Sequence, residues 1–145
     1  MTLADRLDGI VHEETQVRGD GDRVDLTLAG VHEVDVPGAV DFSGGELVDA
    51  SLAAIDPEKR DQDDDYGWWD LAAGTYVITL NESLAGDDPV TLQPRTGLVA
   101  RGATHPSLRT ASLPALPLTV SRTVDGDGVG IRLKENARVS TVRTE

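Results

Sequence analysis

From residue 24 onward apolar and polar side chains alternate, and the period is two. Val24, Leu26 and Leu28 are separated by Asp25 and Thr27, and Val31, Val34 and Val36 follow before Pro37-Gly38. Alternation of this kind marks strands with one buried face, so the stretch reads as two strands and a turn. The same period returns over residues 75–80 and 90–93, joined by the turn Gly86-Asp87-Asp88-Pro89. It continues over 116–120, 129–133 and 138–142, with Asp125-Gly126-Asp127-Gly128 as a hairpin turn before 129. The N-terminus breaks the period. Leu3, Leu7, Ile10 and Val11 recur at helical spacing behind Thr2 and predict a short, Thr2-capped amphipathic helix. Residues 39–53, with Phe42 and Leu47-Val48 around Gly44-Gly45, predict an arm or short hairpin. Pro106, Pro114 and Pro117 leave little room for helix over 103–117. Many short strands with frequent turns indicate an all-β barrel or jelly-roll domain with a short N-terminal helix. The 145 residues suit one such domain, spanning 1–145.

Charge narrows the partners. Twenty-six acidic residues stand against 13 basic ones, for a net charge of -13. Only Lys59 and Lys134 among the basic residues are lysines, and Phe42 is the single phenylalanine. This acid-rich, lysine-poor balance resembles cytoplasmic proteins of salt-in halophiles. There, dense carboxylates keep a surface hydrated while molar salt shortens the Debye length to about 3 Å. A chain so acidic repels phosphate backbones and is not expected to bind nucleic acid generally. The run Asp61, Asp63, Asp64, Asp65 reads as a solvated loop. No apolar run approaches 18 residues, the start lacks a signal-peptide core, and cysteine is absent. A cytoplasmic protein without a membrane partner is the expectation.

Against this acidity, residues 90–102 stand out. A strand ends at Pro94 and is followed by Arg95, Thr96, Gly97 and Leu98, then Arg101 and Gly102. Proline terminates the strand, and glycine allows close backbone approach to a ligand. Two guanidinium groups and a hydroxyl around that glycine suit a phosphate or other oxyanion. Arg95, Thr96, Gly97 and Arg101 are therefore the candidate phosphate-binding residues. Trp68 and Trp69 can stack a base, although a chain this poor in aromatics is expected to use at least one in its core. His12, His32 and His105 lack ligand or triad spacing.

The segment from Pro94 to Arg101 resembles the P-R-S-G-L-A-x-K phosphate motif of the trimeric dUTPase and dCTP deaminase superfamily. Thr96 keeps the hydroxyl of the usual serine, and Arg101 the charge of the usual lysine. Three further segments are similar to family strands in the same order. Residues 24–28 resemble an early D-L-x-L strand, 69–82 the L-x-P-G-x-x-V-x-x-T-x-E strand, and 130–139 the closing hairpin. The resemblance implies a dUTPase-like β-clip fold, a homotrimer with phosphate motifs at subunit boundaries, and a deoxynucleoside triphosphate as ligand. It also implies Mg²⁺ as cofactor, with Asp25 near the metal-bound triphosphate.

One part of the family pattern is missing. The resemblance calls for an aspartate and tyrosine in a hairpin after the phosphate motif for dUTP hydrolysis, or for a glutamate on the following strand for dCTP deamination. Residues 103–124 contain no Asp, Glu or Tyr. Loss of a general base typically costs roughly 10²- to 10⁴-fold in rate, and no catalytic residue is assigned. Two functions follow. One is a dUTP diphosphohydrolase or dCTP deaminase of pyrimidine deoxynucleotide metabolism. The other is a non-catalytic paralogue acting as a nucleotide-binding or structural trimer.

Overall fold

The computed structural model describes residues 1–144 and is built almost entirely of antiparallel strands. In chain order the elements are β1 (Leu7–Asp8), α1 (Glu13–Gln16), β2 (Val17–Arg18), β3 (Arg23–Val36), β4 (Ser51–Ile55), β5 (Trp68–Ala72), β6 (Gly74–Leu80) and β7 (Ser83–Leu84). There follow β8 (Val90–Pro94), α2 (Thr96–Val99), β9 (Ala103–Thr104), β10 (Leu108–Thr110), β11 (Leu116–Val120), β12 (Val129–Lys134) and β13 (Arg138–Arg143). The main sheet runs β10-β8-β13-β3-β6-β11-β9, with β2 and β4 also paired to β3. Two ribbons, β5 with β12 and β1 with β7, complete it. The curled antiparallel sheet is the all-β architecture that the alternation predicts.

The inward faces follow the period. On β11, Leu116, Leu118 and Val120 are buried and the residues between them exposed. Leu26, Leu28, Ile78, Leu92, Leu118 and Val142 are wholly inaccessible. Trp69 joins this core, its indole N–H donating to the Ile55 carbonyl at 2.7 Å.

Two expectations change in detail. Residues 23–36 form one strand of 14 residues rather than two strands and a turn. A register shift between Leu28 and Gly30 bends β3 without ending it. Its first half therefore pairs with β13 and β2, and its second with β6 and β4. Residues 37–50 extend the β3–β4 hairpin as an exposed arm closed by an Ala39–Val48 bridge.

At the N-terminus, the helical spacing yields a 3-10 turn over Ala4–Arg6, then β1, then the single turn α1. The N-cap of this turn is Leu3 and not Thr2; Thr2 instead exchanges bonds with Asp5, the Asp5 N–H donating to Thr2 Oγ1 at 3.3 Å and the Thr2 N–H to Asp5 Oδ2 at 2.9 Å. Gly9 stops any longer helix. Its φ of +89° is left-handed, and a Cβ there would strike the Asn81 carbonyl oxygen. The segment instead lies against residues 81–84, so that Gln16 ends up buried.

Candidate functional site

Pro94 closes β8, and the Arg95 N–H donates to the Val139 carbonyl at 3.0 Å, which pins the motif to β13. Arg95 then caps α2, whose Leu98 is buried as an anchor. Arg101 folds back so that its Nη1 donates to the Gly97 carbonyl at 2.9 Å. A Cβ on Gly97 would meet only that guanidinium, at 3.6 Å, so packing does not require glycine there. The absent side chain leaves room on the open side of the turn.

Beneath the motif lies Asp25, with 2% of its side chain exposed. Its Oδ2 is 2.9 Å from Arg18 Nη2, 3.1 Å from Arg138 Nη1 and 3.5 Å from Arg95 Nε. Thr141 Oγ1 donates to its Oδ1 at 3.0 Å. One carboxylate thus faces three guanidinium groups and neutralises only part of their charge. Partial burial lowers the Arg95 pKa from its ordinary value. Asp25 opposes that shift, and Arg138, Arg18 and Arg101 add to it. Arginine stays protonated in proteins, so the cluster carries surplus positive charge that an anion would relieve.

Two clefts meet at Arg95. The first, of about 440 Å³, is lined by Arg95, Gly97, Arg101, Arg132, Lys134 and Arg138, with Trp68 at its wall. The second, of about 200 Å³, is lined by Arg18, Arg23, Arg95 and Arg143 together with Thr96, Thr141 and Asp25. Eight of the 13 basic residues therefore line these clefts, with Asp25 the only acidic lining residue among those described; Arg132 is itself ion-paired with Asp127 and Asp70. In a chain of net charge -13 this is a strong local reversal of sign.

All five residues singled out in the sequence come together here. Arg95, Gly97 and Arg101 face the first cleft, while Arg95, Thr96 and Asp25 face the second. Asp25 bears on the magnesium expectation. Its oxygens are taken by arginines and Thr141, so the donor set does not fit Mg²⁺, which would confront three guanidinium groups. Among the described residues, no three His, Asp or Glu side chains gather into a metal site. The sequence reading missed Arg18, Arg23, Arg132, Lys134, Arg138 and Arg143, which only strand register delivers to the clefts.

Two other polar groups are structural. Glu82 is buried, accepting from the Thr27 N–H at 2.9 Å, Thr27 Oγ1 at 2.6 Å and Gln16 Nε2 at 2.8 Å. His105 is buried against Ser140. Because the Pro106 carbonyl, 2.9 Å from Nδ1, can only accept, Nδ1 carries the proton and Ser140 Oγ donates to Nε2 at 2.7 Å. Burial lowers the His105 pKa, with the Pro106 bond opposing. Ser140 is inaccessible, so the pair is no nucleophile.

No protein-family model matches this chain, and no curated protein does. Among solved structures, the chain is similar to 2'-deoxycytidine 5'-triphosphate deaminase from Agrobacterium tumefaciens, with a TM-score of 0.55 and 18% identity. The match covers 96% of this chain and 42% of that one, so the chain spans less than half the length of that protein. At this identity the likeness is one of fold, and it is the dUTPase-like all-β fold that the ordered motifs imply.

Proposed function

We propose that this chain binds a deoxynucleoside triphosphate at the junction of the two clefts, as a dUTPase/dCTP deaminase-like protein of pyrimidine deoxynucleotide metabolism. The concentration of eight basic residues around Arg95 carries the reading. A triphosphate is the class of small ligand whose charge matches that surplus, and arginine forks take phosphate oxygens in pairs. Magnesium enters only as a companion of the triphosphate, held by phosphate oxygens.

The non-catalytic form of this reading is favoured by one observation. Among the described residues Asp25 is the only carboxylate lining either cleft, and it is saturated by three guanidinium groups and a hydroxyl. Both of its oxygens are engaged by these donors, and neither is presented to a water in the clefts. Turnover is therefore weak or nil. The same reading carries a homotrimer, for which sedimentation in high salt would give about three times the 15.4 kDa chain mass.

Titration of non-hydrolysable dUTP and dCTP analogues into wild type and Arg95→Ala, in molar potassium chloride, tests the binding. Removal of a charge-assisted contact is expected to cost about 1.5–3 kcal/mol. Thr96→Ala is expected to cost less, since it removes a neutral donor. Equal affinities for wild type and Arg95→Ala would defeat the reading. Robust release of diphosphate or ammonia from dUTP or dCTP would defeat its non-catalytic half.

A further inference from the structure

We infer that Trp68 is the stacking platform for the nucleobase, and that its indole selects a nucleotide over a bare polyphosphate at the same site. The inference rests on the triphosphate reading above and adds the part of the ligand that phosphates do not define. Of the two tryptophans, Trp69 is sealed in the core, while Trp68 is half-buried at the wall of the larger cleft. Strand alternation explains the split: on β5, Trp69 and Leu71 point inward, and Trp68 takes the other face.

The backbone of Trp68 is held from both sides. It exchanges hydrogen bonds with Glu58 at 2.8 and 2.9 Å, and it pairs with Lys134 across the β5–β12 ribbon. Its ring is held as well. The Arg60 guanidinium lies 3.7 Å from the ring centroid, and the Lys134 ammonium lies 5.7 Å from it. Arg60 does not line the cleft, and its guanidinium occupies one face of the indole. The base takes the opposite face or displaces that guanidinium. A cleft of about 440 Å³ lies within the range of small-ligand sites. It offers arginines at the Arg95 motif for the phosphates and one large aromatic for the base. Base–aromatic stacking is tolerant of base identity, so Trp68 sets the preference for a nucleotide and not the choice among bases.

The test is a ratio of affinities, measured calorimetrically for dCTP or dUTP and for inorganic tripolyphosphate on the same protein in molar potassium chloride. Wild type is expected to prefer the nucleotide by roughly tenfold, the scale of one stacked base. In Trp68→Ala the ratio is expected to fall to about one, and Trp68→Phe is expected to keep most of it. Wild-type indole fluorescence is expected to be quenched by the nucleotide and not by tripolyphosphate. Equal wild-type affinities would overturn the inference while leaving the phosphate reading standing, as would a preference that survives Trp68→Ala. Absence of binding by nucleotide and tripolyphosphate alike would remove the phosphate reading and the inference together. Because wild type alone gives the first ratio and the quenching, a variant that fails to fold does not shield the inference.

Discussion

Two carboxylates are buried among the described residues, and their surroundings are opposite in kind. Asp25 sits among three arginines whose side chains are 24–38% exposed. Glu82 receives only neutral donors: a backbone N–H, a hydroxyl and an amide. Gln16 joins the two regions, donating through Nε2 to both the Asp25 carbonyl and Glu82 Oε2. Asp25 is a counter-ion at the edge of the clefts, and its partners can turn toward solvent or toward a competing anion. Glu82 ties the N-terminal segment to the sheet, and its donors have no alternative. Burial alone thus says little about function. The exposure and charge of the partners separate a ligand site from a structural lock.

The largest expected effect is on the lock. Glu82→Ala strands three buried donors and is expected to cost about 3–4 kcal/mol in denaturant unfolding, with Glu82→Gln losing less. A loss below about 1 kcal/mol would place Glu82 in the same class as Asp25. The next effect is smaller and has two signs. Asp25→Asn is expected to cost about 1–2 kcal/mol, because half-exposed arginines recover solvation. It is also expected to bind tripolyphosphate severalfold more tightly, since the competing charge is gone. Weaker binding by Asp25→Asn would mean that Asp25 organises the arginines instead of competing for them.

The smallest effect belongs to His105, a buried imidazole. Its folded pKa lies below the ordinary 6.5. The unfolded chain therefore takes up the proton first, and the contribution of His105 to stability is full above pH ~6.5 and declines as pH falls through the folded value. Melting temperature is expected to fall between pH 7 and pH 5, and His105→Gln to flatten that slope. An unchanged slope would show that the ring is not held neutral by its burial.

Much of this was legible in the sequence. Residues 75–80, 90–93, 116–120, 129–133 and 138–142 all lie in strands, because one buried face imposes period two. Arg95, Thr96, Gly97 and Arg101 were readable as a local cluster because the chain itself holds them together. Arg18 and Arg138 were not. They reach Asp25 through the register of β2 and β13 on β3, which no local pattern encodes. The bond from Gln16 to Glu82 spans 66 positions and was equally invisible. The N-terminal spacing misled because Gly9 and a docking surface at residues 81–84 outweighed a weak helical periodicity. Asp25 was picked out as a metal-side acid, and it lies beside the Arg95 motif among arginines. Resemblance supplied the position, and the arginines around it came from elsewhere in the chain.

The position of β3 has a consequence for the order of events during folding. Its first half is completed by β13, and the pairing of Asp25 with Arg138 joins residues 113 positions apart. The Arg95 backbone is likewise fastened to Val139. Closing loops of that length is entropically slow, and such topologies fold late relative to local hairpins. The β11–β6 and β5–β12 pairings involve none of these residues. A nascent chain can therefore form much of its apolar interior while the clefts are still unmade, and competence to hold a polyanion arrives only when residues 138–143 dock. Ligand present during refolding would then stabilise only the completed state, slowing its opening without altering the earlier collapse.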